Sequence, residues 1–180
     1  MSDRCLGILP SCDFASCPQL DLICVPGGPG VVGAIADEET VDFVRSQSTH
    51  AQYVTSVCMG AFVLGAAGLL RGRRATTHWA YVDLLPLVGA THERGRTVVD
   101  GNLVTSGGVT SGIDFGFRVV AELAGPQVAQ ALQLGLEYDP SPPFDGGHPS
   151  RASESAVALM VRRNEAAHKG IQEHLERIAV

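Results

Sequence analysis

Residues 53–70 read YVTSVCMGAFVLGAAGLL, and this stretch decides the fold. Gln52 to Val57 (QYVTSV) is rich in strand-forming residues and ends at Cys58. Met59 to Leu70 continues in small and apolar residues that suit a helix. A strand thus runs directly into a cysteine, and a helix starts directly after it. Ser56 and Gly60 are small, as a crowded strand-to-helix turn requires. Open α/β sheets bind ligands at the carboxyl ends of their strands, where this turn would lie. The helix start adds backbone N–H groups and a partial positive charge, which favour a thiolate and lower a cysteine pKa. Cys58 is therefore a candidate nucleophile; the ordinary alternative is a buried cysteine closing a strand.

Upstream, Leu20 to Val25 (LDLICV) is an apolar run stopped by Pro26-Gly27-Gly28-Pro29-Gly30. An unbroken apolar strand predicts burial on both faces, as in a parallel sheet. If the two strands are neighbours, the glycine turn lies across from Cys58. Pro29 has no N–H, so the donor there is Gly28 or Gly27. With the Met59 amide it would form an anion hole for a developing charge. Downstream, Ala75-Thr-Thr-His78-Trp79 places a histidine at a strand end, able to approach the cysteine. A structural histidine beside a core tryptophan is the competing reading. Trp79, Phe62 and Phe115 are candidate pocket walls or simply core.

The remaining pattern alternates strands and helices, which predicts a layered α/β fold with a mostly parallel sheet. Asp37 to Ser46 reads as a helix with an acidic start, Arg74 to Thr77 as a short strand, and Ala80 to Leu85 as a helix. Thr97–Val99 and Asn102–Thr105 flank Asp100-Gly101, a strong hairpin signal. Helices are predicted from Ser111 to Leu123 and from Pro126 to Leu136. Pro140 to Ser150 (PSPPFDGGHPS) must be an irregular arm, and Glu154 to Ile178 a long, partly exposed helix.

The 180 residues carry a net charge of −6, and 12 of the 13 basic residues are arginine. They form no basic cluster, which argues against nucleic acid as a partner. No apolar run approaches the roughly 18 residues of a membrane span, and Met1 to Pro10 lacks a signal-peptide pattern. The expected compartment is the cytoplasm. Five cysteines (Cys5, Cys12, Cys17, Cys24 and Cys58) include no CxxC pair, and the six histidines show no ligand spacing. Neither a disulfide framework nor a metal site is expected.

The chain resembles the DJ-1/PfpI superfamily in DLICVPGG (Asp21 to Gly28), YVTSVCMGAFVLGAAGLL (Tyr53 to Leu70), GRRATTHWAY (Gly72 to Tyr81), DGNLVTSGGVTSGIDF (Asp100 to Phe115) and LEYDPSPPF (Leu136 to Phe144). It is most similar to the isonitrile hydratase branch. The resemblance implies a flavodoxin-like, class I glutamine amidotransferase-like three-layer sandwich in one domain spanning 1–180. Within it, residues 1–18 are an irregular lead and 140–180 the arm and terminal helix. It implies Cys58 as nucleophile, backbone amides of Gly28 and Met59 around it, His78 as a candidate neighbour, and no cofactor. The implied reaction converts an isonitrile to an N-substituted formamide through a thioimidate, the work of a lyase acting on a small molecule. It also implies a homodimer, for which the arm and the terminal helix are the natural contacts.

Two departures bear on this. Relatives usually carry threonine after the cysteine, where this chain has Met59. They also usually begin with a further strand and helix that supply a carboxylic acid to the cysteine, whereas this chain starts just before the strand at Leu20. That predicts an N-terminally truncated fold, less stable than its relatives or compensated by a partner chain. It leaves open a longer native protein or an inactive truncated paralogue. Sensor domains of AraC-type regulators share the elbow. A ligand or redox sensor, in which Cys58 responds without turnover, is therefore the alternative to an enzyme.

Overall fold

The computed structural model describes residues 7–178. Its main sheet has four strands: β1 (Leu22–Val25), β2 (Tyr53–Val57), β5 (Thr97–Asp100) and β6 (Leu103–Ser106). Their order is β1-β2-β6-β5; β1, β2 and β6 are parallel, and β5 runs antiparallel to β6. The Asp100-Gly101 hairpin forms as expected, with Gly101 at φ +62°. Val54 lies between Ile23 and Leu103, which places the strand leading to Cys58 in the middle of the sheet.

Helices α2 (Glu38–Ser48) and α3 (Gly60–Ala66) pack together, α3 lying on β1 and β2. Helix α4 (Ser111–Ala124) lies on β6 and β5, with α5 (Pro126–Gly135) against it. This is the flavodoxin-like α/β arrangement. Asp37 starts α2 by accepting the Thr40 amide at 3.1 Å, with Glu38 and Glu39 favourably placed in the first turn. A one-turn helix, α1 (Val31–Ala34), follows the glycine turn and was not predicted. The long α6 (Glu154–Ile178) docks on α1, α3 and the 3-10 helix Trp79–Val88. Its Ile171 and Leu175 are fully buried, each worth about 1.5–3 kcal/mol of burial.

Several local expectations are corrected. LDLICV is not buried on both faces: among the described residues β1 pairs only with β2, and Cys24 on it is exposed. The helix after Cys58 stops at Ala66, because Gly68 turns the chain at φ +81°. The strand predicted over 74–77 shortens to β3 (Arg74–Ala75), paired with β4 (Thr91–His92) in a separate two-stranded sheet. Thr76 leaves that ladder because its amide donates to Thr105 Oγ1 at 2.9 Å. The segment read as a helix over 80–85 is a 3-10 helix containing Pro86, which lacks an amide, and Gly89 ends it at φ +73°. Among the described residues no helix is long and apolar enough to cross a membrane.

Candidate active site

The end of β2, the start of α3 and the loop after β6 converge on Cys58. Its backbone sits at φ +57°, a left-handed conformation that costs a non-glycine residue about 1–3 kcal/mol and persists only where the surroundings enforce it. The enforcement is visible on both peptide groups. The Cys58 amide donates to the Ser106 and Gly107 carbonyls, each at 2.9 Å, and its carbonyl accepts the Thr77 hydroxyl at 2.8 Å. Thr77 is itself 2% exposed.

The turn is tight because its neighbours are glycines. A Cβ on Gly60 would stand 2.1 Å from the Val25 carbonyl oxygen. A Cβ on Gly27 would stand 2.6 Å from Cys58 Cβ and 3.1 Å from its Sγ. Gly27, rather than Gly28, is thus the glycine against the cysteine. Gly28 turns the chain at φ +131°, and a Cβ there would meet nothing within 4 Å.

Cys58 as a whole is 7% exposed. Burial pushes its pKa above the ordinary thiol value, while hydrogen bonds from the Met59 and Val109 amides pull it down. The expectation of a net lowering is corrected: the amides are present, but desolvation outweighs them. The same amides favour the charged form of the sulfur, so they would stabilise charge that develops there during a reaction.

His78 does not reach the cysteine through a hydrogen bond. Its Nδ1 accepts the Ala80 amide at 3.2 Å and starts the 3-10 helix. That bond assigns the ring proton of the neutral form to Nε2. Burial lowers its pKa, which keeps the ring neutral near pH 7. The ring lies against Gly108, where a Cβ would approach Cδ2 to 2.7 Å. His78 therefore packs on the loop that delivers the Val109 amide.

Tyr81 continues this layer. Its ring is 5.6 Å from His78 and 5.9 Å from His168, and its hydroxyl donates to Asn164 Oδ1 of α6 at 3.1 Å. Burial, and then the charge of Cys58, raise its pKa. His168 in turn contacts Asp83 at 2.9 Å. Of the candidate pocket walls, Phe62 is fully buried and Phe115 nearly so, both as core. Trp79 is half-buried and lines a cavity of about 540 Å3 with Asp83, Asn164 and His168. A larger cavity of about 970 Å3 lies elsewhere, between α4 and the arm, lined by Arg96, Ile113, Arg118, Tyr138 and Phe144. Among the described residues no group of three or more His, Cys, Asp or Glu is placed to hold a metal ion.

Val109, Thr77 and Tyr81 were missed from sequence. Val109 had a signal: Ser106-Gly107-Gly108 ends β6 much as Pro26-Gly27-Gly28 ends β1. Thr77 sat inside the ATTHW stretch, where only the histidine drew notice.

The DJ-1/PfpI family pattern matches residues 8–122. The chain is 53% identical to isonitrile hydratase from Pseudomonas putida over 174 residues, covering 97% of this chain and 76% of that protein. It superposes on the crystal structure of a THiJ/PfpI family protein from Pseudomonas syringae with a TM-score of 0.93 at 40% identity, covering 97% of this chain and 73% of that one. The HTH-type transcriptional regulator CdhR of Pseudomonas aeruginosa is 36% identical over 93 residues, which is 49% of this chain and 27% of the regulator. With a strained cysteine between strand and helix, and with these matches, the chain belongs to the DJ-1/PfpI family.

Proposed function

We propose that the protein hydrates isonitriles to N-substituted formamides, with Cys58 as the nucleophile. The observation that carries this reading is the 53% identity to an isonitrile hydratase over 97% of the chain. The geometry around Cys58 supports it with a chemical route whose atoms balance.

The terminal carbon of R–N≡C accepts the sulfur lone pair, and the thiol proton passes to the same carbon. The product is the thioimidate R–N=CH–S–Cys58. Water then adds: its oxygen bonds to that carbon, and one of its protons goes to nitrogen. Collapse breaks the C–S bond, the hydroxyl proton returns to sulfur, and R–NH–CHO leaves. The sum is one isonitrile plus one water giving one formamide. A thiol kept protonated by burial brings the proton that the carbon requires. Sulfur carries negative charge as its proton departs and again as the leaving group. The Met59 and Val109 amides act at both moments.

A second reading draws on the similarity to the regulator CdhR: Cys58 captures an electrophile and holds it. The raised thiol pKa weighs against oxidation sensing, because the thiolate is the form that oxidants attack. In both readings the protein is taken as a homodimer, with the arm, where Phe144 is 83% exposed, at the contact.

The test incubates the protein and its Cys58→Ala variant with a small aliphatic isonitrile, following substrate loss and formamide release. Many formamides per protein, lost in Cys58→Ala, are expected. A single stoichiometric adduct on Cys58 would replace the enzyme with the sensor. Neither turnover nor adduct would overturn both.

A further inference from the structure

The cavity of about 540 Å3 between the 3-10 helix Trp79–Val88 and α6 takes no part in the reaction at Cys58. Its size falls within the span of about 300–1,000 Å3 usual for small-molecule sites. Bonds between its two sides hold it in shape. His168 Nε2 of α6 contacts Asp83 Oδ2 at 2.9 Å, and the Tyr81 hydroxyl donates to Asn164 Oδ1 at 3.1 Å. Asn164 is fixed from its other end as well, its Nδ2 donating to the Met160 carbonyl at 2.7 Å. The half-buried indole of Trp79 forms the apolar wall together with Ala80 and Val161. The His78 ring, 5.6 Å from it, backs the indole from the side of the elbow.

The polar wall comes from α6. Among the described residues, the ion pairs of α6 are His168 with Asp83 and Lys169 with Glu173. Arg162 and Glu165 stand outside both, and both line the cavity. Three residues apart on one helix, they are surface neighbours, with about 5–6 Å between their Cβ atoms. The cavity thus offers an unengaged cation and an unengaged anion side by side, next to a flat apolar face. A plain carboxylic acid would meet Arg162 but be repelled by Glu165, and a plain amine would suffer the reverse. An α-amino acid carries both charges one carbon apart and satisfies the two together. An apolar side chain suits the Trp79 wall, where a charged one would be desolvated without a partner.

We propose that this cavity binds a free α-amino acid with an apolar side chain. Its carboxylate pairs with Arg162, its ammonium with Glu165, and its side chain lies on the Trp79 indole. The site is separate from the thiol and does not depend on how Cys58 reacts.

Trp79 is the single tryptophan of the chain, so indole fluorescence reports on this cavity alone. The test titrates the full chain with L-leucine through the millimolar range, reading Trp79 emission and, in parallel, heat by calorimetry. A saturable change in both signals is expected. Leucinamide lacks the carboxylate, N-acetylleucine lacks the ammonium and glycine lacks the side chain; each should bind about tenfold more weakly or worse. Arg162→Gln and Glu165→Gln, both exposed positions on α6, should each weaken leucine binding by a similar factor while leaving the circular dichroism spectrum unchanged. Absence of both heat and emission change would overturn the proposal. Equal binding of leucinamide or N-acetylleucine would overturn it as well, and so would leucine binding that neither variant weakens. No isonitrile enters the experiment, so its failure is distinct from failure of the hydratase reading.

Discussion

The Thr77 hydroxyl donates to the Cys58 carbonyl oxygen at 2.8 Å, tying the segment after β3 to the strained residue of the elbow. Both residues are buried, so no bulk water stands ready to replace the bond. Thr77→Val keeps the shape and removes the donor. It should cost about 1–3 kcal/mol, the penalty for leaving a buried carbonyl short of a partner. Urea denaturation reads the cost; an unchanged midpoint would mean that the Ala61 amide, 3.5 Å from the same carbonyl, suffices. Thr77→Ser should recover most of the loss.

Gly60 and Gly65 lie on the same helix but should respond differently to alanine. A Cβ at Gly60 meets the Val25 carbonyl oxygen at 2.1 Å, and that backbone is held in the β1–β2 ladder. A Cβ at Gly65 meets Val88 Cγ1 at 2.5 Å and its Cβ at 2.8 Å, so the 3-10 helix that carries Val88, outside the main sheet, has to shift. Gly60→Ala should therefore lose at least the 1–3 kcal/mol typical of overpacking, and Gly65→Ala less. Equal losses by chemical denaturation would show that Val88 is as fixed as the strand.

Alkaline pH should weaken the fold. Burial holds Cys58 and Tyr81 above their ordinary pKa values in the native state. The unfolded chain gives up these protons first and so binds fewer than the folded chain. Stability then falls as pH rises from about 8.5, the ordinary thiol value, toward the native values. The Cys58→Ala variant should show a shallower fall in denaturation midpoints across that range. Parallel slopes for variant and parent would contradict this.

Tyr81 and Asn164 should be coupled. Their hydrogen bond joins the 3-10 helix to α6, and the tyrosine is 2% exposed. Asn164→Ala should cost about 1–3 kcal/mol by orphaning the buried hydroxyl, whereas the double variant with Tyr81→Phe should recover part of it. Additive losses in that cycle would mean that the bond contributes nothing of its own.

The sequence by itself determined the fold class and the location of the elbow. Strand-forming residues running into Cys58, followed by Gly60 and an apolar run, are local signals, and local sterics decide their outcome. The Asp100-Gly101 hairpin was equally legible, because the turn chemistry lies within the dipeptide itself. What surrounds the thiol was not legible. Val109 and Tyr81 come from distant segments that only the β2–β6 pairing and the docking of α6 bring near. The choice of Gly27 over Gly28 depended on the path of the chain after β1, which no composition records. The direction of the Cys58 pKa was likewise decided by tertiary structure. The helix start could be seen in the sequence, but the desolvation that outweighs it exists only once Cys58 is packed into the core beside Phe62 and Met59.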